Sequence, residues 1–248
     1  MDRIITLTGK VVIVTGAGSG IGRETSCVLA REGATVVMLD INAEGLVETA
    51  TLGGEKCHPM AIDLTDANAV AGAVSQIVEQ YGKIDGLVHC AGISSRKPLN
   101  VLSKEGFSKV MDINFYSFVE LVKQCAKRKH INDGASIVVM SSISSVRGYK
   151  AKTEYCVSKA AVDAFVRCMA LELADRRIRI NSVMAAAVTT PMAQKAREIN
   201  AVVGASDFTA PLGSSEPYEV ANTIAFLLSD ATKTITGTSL LIDGGACI

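Results

Sequence analysis

The apolar positions of this chain change period repeatedly, and the changes mark out its elements. Val11-Val12-Ile13-Val14 is an unbroken β-branched run, the pattern of a strand covered on both faces. Gly16, Gly18, Gly20 and Gly22 follow it and read as a turn feeding a helix that starts near Ile21. A second apolar run, Thr35-Val36-Val37-Met38-Leu39, ends in Asp40. A helix over 43–52 stops at Gly53-Gly54, and a third strand over about 57–62 ends in Asp63. Asp66 offers an N-cap to a helix over 67–80, where Val70, Ala73, Val74 and Ile77 recur at helical spacing. Residues 84–89 read as a fourth strand, 103–111 and 112–129 as two nearly continuous helices, and Asn132-Asp133-Gly134 as the break after them. The remaining pattern predicts a strand over 136–140, a serine-rich turn over 141–145 and a helix over about 153–174. After a strand over 178–183 come a loop and helix region over about 185–217, a helix over 218–228 and a last strand over 239–242.

Strands alternating with helices at this spacing predict the α/β class: a doubly wound parallel sheet of about seven strands with right-handed crossovers and helices on both faces. With 248 residues and no repeat, linker or low-complexity stretch, residues 1–248 read as one domain. Composition then removes several classes of function. Lys+Arg and Asp+Glu are equal at 25 each, so no one-signed global field favours nucleic acid or an anionic membrane surface. No apolar run approaches the roughly 20 residues of a membrane span, and the opening Met1-Asp2-Arg3 is no signal-peptide core; a cytoplasmic protein is expected. The seven cysteines, Cys27, Cys57, Cys90, Cys125, Cys156, Cys168 and Cys247, contain no C-x-x-C pair. Reduced thiols and no metal site are expected.

In an open parallel sheet ligands bind beyond the C-terminal strand ends, which narrows the candidate chemistry to a few positions. The glycine turn lets a pyrophosphate approach the amides at a helix N-terminus, which any Cβ would prevent. Asp40, twenty residues after Gly20, stands where an acid takes both hydroxyls of an adenosine ribose, so the turn reads as a dinucleotide site. Tyr155 and Lys159 open the helix after the fifth strand and share one face, about 6 Å apart along the axis. A lysine cation so placed is expected to draw the tyrosine pKa down by about one to three units, making Tyr155 a general acid or base.

These residues together resemble the short-chain dehydrogenase/reductase family in its single-domain, Rossmann-type form. Thr15-Gly16-x-x-x-Gly20-x-Gly22 resembles the family's nucleotide turn; Tyr155-x-x-x-Lys159 with Ser142 thirteen residues upstream resembles its active-site pattern, and Asn114 stands at its catalytic asparagine. The resemblance spans essentially the whole chain. It implies hydride transfer between a nicotinamide and a carbonyl or carbinol carbon, interconverting a ketone and a secondary alcohol. Tyr155 would move the hydroxyl proton, Ser142 would hydrogen-bond the substrate oxygen, Lys159 would lower the tyrosine pKa and hold the nicotinamide ribose, and Asn114 would order a water. The implied cofactor contacts are Gly16, Ser19, Gly20, Ile21 and Gly22 in the turn, Asp40 with Ile41, and Asp63 with Leu64 near the adenine. They continue with Cys90, Ala91 and Gly92 near the adenine ribose, then Tyr155 and Lys159, and Val188 with Thr190 near the carboxamide. A carboxylate at Asp40 repels a 2′-phosphate, and neither Ala17 nor Ile41 offers a cation to offset it, so NAD(H) is expected over NADP(H).

Two stretches depart from the family pattern. His89-Cys90-Ala91-Gly92 replaces Asn-Asn-Ala-Gly, so His89 is expected to act as a substitute hydrogen-bonding group in the structure. Ala185-Ala186 replaces a Pro-Gly turn, which puts the geometry of the following loop in question. Substrate contacts are expected from 93–96, 144–149 and 187–212, with about 185–217 forming a substrate loop. The chain's two ends are similar to those of 3-oxoacyl-[acyl-carrier-protein] reductases, and also of sugar-acid and hydroxysteroid dehydrogenases. Arg96 and Lys97 are candidates to meet a substrate carboxylate, and Lys127-Arg128-Lys129 with Arg176-Arg177 to meet an acidic carrier protein. The resemblance further implies a homotetramer. A non-catalytic NAD-binding sensor or scaffold is the alternative from a different class, and the intact Asn114, Ser142, Tyr155 and Lys159 weigh against it.

Overall fold

The computed structural model describes residues 5–195 and 210–247. Its sheet contains β1 Val11–Thr15, β2 Thr35–Asp40, β3 Cys57–Ala61, β4 Ile84–His89, β5 Ile131–Ser142, β6 Arg179–Ala185 and β7 Ser239–Ile242, in the order β3-β2-β1-β4-β5-β6-β7. Every neighbouring pair is parallel. The helices are α1 Gly20–Arg31, α2 Ala43–Gly53, α3 Ala67–Tyr81, α4 Lys104–Met111, α5 Ser117–Cys125, α6 Thr153–Glu172 and α7 Pro217–Leu228. This is the Rossmann-type doubly wound α/β architecture expected from the pattern of strands and helices.

Alternation along the central strands explains the two-sided core. Val12 and Val14 of β1 pack with Val28 and Leu29 of α1 and Ile224 and Leu228 of α7. Val11 and Ile13 pack on the opposite face with Val74 and Ile77 of α3, Phe118 and Leu121 of α5 and Val166 of α6. Each fully buried Val, Leu, Ile or Phe side chain contributes about 1.5–3 kcal/mol, so both helical layers are held by the same strands. The strand order reverses between β1 and β4, and the crevice at that switch point carries the glycine turn.

Three boundaries differ from the sequence pattern for reasons that lie outside the local chain. The break expected at Asn132-Asp133-Gly134 lies inside β5, as an irregularity between the pairs Ile84↔Ile131 and Gly86↔Ser136. Asn132 Nδ2 donates to Asp85 Oδ1 at 2.8 Å, and Gly134 takes φ +82°, so the bulge is accommodated in the ladder. The two helices expected over 103–129 are joined by a π-helical turn, Asp112–Tyr116, and α5 ends at Cys125. Ala185, expected in a loop, continues β6 in register between Ser142 and Ile242. The Pro-Gly replacement at Ala185-Ala186 is thus the end of a strand, with Ala186 N–H bonded to the Ile242 carbonyl at 3.0 Å.

Candidate active site

The cleft at the switch point encloses about 930 Å³ and is bounded by the turn after β1, the ends of β2 and β3, the turn after β4, and α4. Of the positions expected to contact a cofactor, Gly16, Ser19, Gly20, Ile21, Gly22, Asp40, Ile41, Asp63, Leu64, Cys90, Ala91, Gly92 and Thr190 line it. Val188, Tyr155 and Lys159 do not: Val188 is buried and bridges to Ser215, and Tyr155 and Lys159 stand on α6. The opposite wall, formed by Lys104, Ser108 and Lys109 of α4 and by Asp112 and Ile113, was not legible in the sequence, because only tertiary packing brings α4 to this crevice. Of the substrate loop expected over 185–217, residues 196–209 lie outside the described residues.

The turn has the shape a pyrophosphate needs. A Cβ at Gly22 would collide with the Gly16 carbonyl, and one at Gly16 would lie 2.7 Å from the Ala91 backbone nitrogen. Gly16 and Gly20 also take φ of +66° and +54°, the left-handed region that favours glycine. Asp40 closes the turn from the end of β2: its Oδ2 accepts the Gly18 N–H and its Oδ1 the Asn42 N–H, each at 2.9 Å. Arg23 braces the outer side, donating to the Gly18 carbonyl at 2.5 Å and pairing with Glu48 at 2.6 Å. Asp63 accepts both the backbone N–H and the hydroxyl of Thr65, which hold its carboxyl below the usual carboxylate range. An extended dinucleotide fits these residues: bare backbone where phosphates approach, and a carboxylate at the ribose end.

The second group of residues gathers where β5 ends and α6 begins. Ser142 is the last residue of β5; its Oγ accepts the Ser144 N–H at 3.2 Å. Its hydroxyl is also the hydrogen-bond partner of the Tyr155 phenol and favours the ionised form. Burial opposes this more strongly, so the Tyr155 pKa is raised above its ordinary value. This corrects the expectation that Lys159 would draw it down. The Lys159 ammonium lies 5.8 Å from the centre of the Tyr155 ring and donates to the Met140 carbonyl at 2.8 Å. Burial lowers the pKa of Lys159 itself to about 8, against opposing pulls from Cys90 and Asp163.

Asn114 lies fully buried in the π-helical turn, a local widening that often occurs at functional sites. Its carboxamide clamps the main chain of Ile93 from both sides: Oδ1 accepts the Ile93 N–H at 2.7 Å and Nδ2 donates to the Ile93 carbonyl at 3.0 Å. The same Nδ2 donates to Ser158 Oγ at 3.0 Å. A Cβ at Gly92 would lie 3.2 Å from Asn114 Oδ1 and 3.7 Å from Lys159 Nζ, so Asn114 and Lys159 stand behind the Gly92 wall of the cleft.

His89 is fully buried, with Nδ1 2.9 Å from Thr15 Oγ1 and Nε2 3.5 Å from Ser117 Oγ. Thr15 Oγ1 already accepts the Ala91 N–H, and the Ser117 hydroxyl donates to the Ile113 carbonyl at 2.7 Å. The consistent assignment is a neutral ring protonated on Nε2. Burial first, and the Lys159 charge second, push its pKa down to about 3. His89 thus links β1, β4 and the start of α5, the structural role expected of it. Lys97, expected to meet a substrate carboxylate, instead pairs at 3.3 Å with Glu154, which is 1% exposed and also accepts the Ser95 hydroxyl.

A dinucleotide crevice with a serine, a tyrosine and a lysine gathered beside its Gly92 wall is the arrangement of an oxidoreductase that acts on alcohols or ketones. The family model described as enoyl-(acyl carrier protein) reductase matches residues 16–247. The chain belongs to the short-chain dehydrogenase/reductase family, whose cofactors are NAD(P)(H). It is 36% identical over 246 residues to 3-oxoacyl-[acyl-carrier-protein] reductase of Thermotoga maritima, covering 98% of this chain and 99% of that protein. It is 35% identical to cyclopentanol dehydrogenase of a Comamonas species, covering 95% of this chain and 96% of that one. A solved short-chain dehydrogenase/reductase of Brucella melitensis, titled a glucose/ribitol dehydrogenase, superposes with a TM-score of 0.90 at 28% identity, covering 98% of this chain and 99% of that one.

Proposed function

We propose that this chain is an NAD(H)-dependent ketone reductase and secondary-alcohol dehydrogenase with Asn114, Ser142, Tyr155 and Lys159 as its working residues, and that its substrate is a 3-oxoacyl thioester. The observation that carries the reading is the meeting of Ser142, Tyr155 and Lys159 beside the glycine-lined crevice. When bound, the nicotinamide supplies or accepts the hydride at the substrate carbon. Ser142 donates its hydroxyl to the substrate oxygen, and Tyr155 gives that oxygen its proton during reduction or takes it during oxidation. A phenol kept protonated by burial suits the reducing direction. Lys159 would hold the nicotinamide ribose, and Asn114, which fixes the strand-end segment at Ile93, would order a water in the proton relay.

The Asp40 carboxylate at the ribose end supports NAD(H) over NADP(H), since a 2′-phosphate would face its negative charge and Ile41 beside it is exposed and uncharged. The thioester substrate is supported by the likeness to the Thermotoga reductase. Docking of an acidic carrier draws less support from Arg176, which pairs with Asp133 at 2.7 Å and donates to the carbonyls of Ala126 and Ile131. The chain works as one nucleotide-binding domain whose substrate loop lies between β6 and α7, in the cytoplasm, and as a homotetramer. Exposed Tyr116, Val157 and Leu171 on or beside α5 and α6, and Tyr218 and Leu241 on α7 and β7, offer the apolar surface for its two dyads.

The test is a turnover screen with NADH and NADPH in parallel over 3-oxoacyl thioesters, cyclic ketones, steroids and sugar acids. The expected result is NADH oxidation fastest with a 3-oxoacyl thioester. No oxidation of either cofactor with any carbonyl would instead favour the NAD-binding sensor, and a clear preference for NADPH would overturn the role given to Asp40.

A further inference from the structure

Asp163 is a buried carboxylate, 4% exposed, for which the proposed mechanism has no use. It lies on α6 at four and eight residues past Lys159 and Tyr155, so the three follow one another along one helical face. Two strands reach up to it. Ser141 of β5, next to Ser142, donates to its Oδ2 at 2.9 Å, and Ser182 of β6 donates to its Oδ1 at 2.6 Å. Ser182 Oγ is also 2.8 Å from Ser239 Oγ of β7. Met140, one residue further along β5, gives its carbonyl to Lys159. The segment Met140-Ser141-Ser142 is therefore gripped at successive residues by Lys159, Asp163 and Tyr155.

We propose that Asp163 is a positioning residue for the proposed reaction: it clasps α6 to β5 and β6 beneath Ser142 and supplies the buried negative charge that keeps the Lys159 ammonium protonated. A buried ammonium without an anion is costly, and Asp163 stands one helical turn from Lys159 on α6, where a carboxylate favours the charged form of the lysine. The groups that face Lys159 single Asp163 out. From β4 come His89, held neutral with a pKa of about 3, and Cys90, held as a thiol with a pKa of about 12. From β5 comes the Met140 carbonyl, and from α6 Tyr155, which burial keeps as a phenol. Cys90 and Asp163 are the two groups whose charge supports the ammonium, and the thiol carries none at neutral pH. The sign follows: removing the Asp163 charge lets burial depress Lys159 further, so the lysine deprotonates at lower pH.

The inference rests on the reading of Tyr155 and Lys159 as working residues, so its test has a readout apart from turnover. In ¹⁵N-lysine NMR, with the Lys159 Nζ signal assigned through Lys159→Arg, the wild type should titrate near pH 8. Asp163→Asn should move the midpoint down by about one unit, the low end of the effect of a close opposite charge. Ser182→Ala, which loosens the clasp and keeps the charge, should leave it in place. An unmoved midpoint in folded Asp163→Asn, or an equal shift in Ser182→Ala, would overturn the proposal. A second measurement needs no variant at position 163: in the wild type the Asp163 carboxyl ¹³C signal should step at the Lys159 midpoint, and a flat signal there would also overturn it. Turnover adds a separate arm, in which the basic limb of the pH profile of kcat/KM moves down by the same unit in Asp163→Asn. A wild type inactive on every carbonyl would defeat the enzymatic reading, while the NMR midpoints still decide the charge coupling.

Discussion

His89 shows how a single replacement is absorbed without disturbing the site around it. Its ring bridges Thr15 and Ser117 and stacks on Phe118 with centroids 5.2 Å apart. The cost is a dependence on pH. In the unfolded chain this imidazole takes up a proton near 6.5, and in the folded protein only near 3. Between those values the unfolded state binds the extra proton, so stability rises with pH and is lost as pH falls below 6.5. One residue so placed contributes a loss of up to about 1.4 kcal/mol per pH unit, or about 2 kcal/mol from pH 6.5 to 5. His89→Asn carries no such proton. Urea unfolding at pH 7 and pH 5 should show a smaller loss for the variant than for the wild type, and equal losses would mean the ring is not the buried neutral group described above.

At the scale of elements, the strand-turn-helix unit from β1 into α1 is where sequence and structure agree most closely. Its signals are local: a β-branched run, glycines at fixed offsets and a carboxylate one crossover later. Gly22 carries the geometric demand, since a Cβ there would collide with the Gly16 carbonyl and force the helix N-terminus away from the turn. Gly22→Ala is expected to cost about 1–3 kcal/mol of stability, the range for overpacking a tight contact, and to weaken NADH binding measured by fluorescence. Binding and unfolding midpoint both equal to wild type would show that the approach of helix and turn is not needed. What sequence could not show were the non-local pairings. Asn132-Asp133-Gly134 reads as a break in any window of its own, and only its pairing to Asp85 and β4 makes it a bulge within β5. The α4 wall of the cleft and the Asp163 clasp depend likewise on elements far apart in the chain. The Tyr155–Lys159 pair was legible as an i,i+4 spacing, yet the burial that reverses the expected tyrosine shift belongs to the packed protein.

For the whole molecule, one sheet carries both halves of the chemistry. The strands β1, β2 and β3 end at the glycine turn, Asp40 and Asp63, while β4, β5 and β6 end at Cys90-Ala91-Gly92, Ser142 and Ala185. The parallel order brings all these ends to one edge, so the proposed placement of the tyrosine beside a nucleotide rests on the fold as well as on Tyr155. The direct measurement is Tyr155→Phe in the full-length protein, with NADH affinity by fluorescence beside turnover on its best carbonyl substrate. Removing one hydroxyl oxygen should leave NADH affinity and the unfolding midpoint near wild type and lower kcat by about 10²–10⁴-fold, the range for a lost general acid. A phenylalanine variant that binds NADH normally and turns over at the wild-type rate would contradict the account.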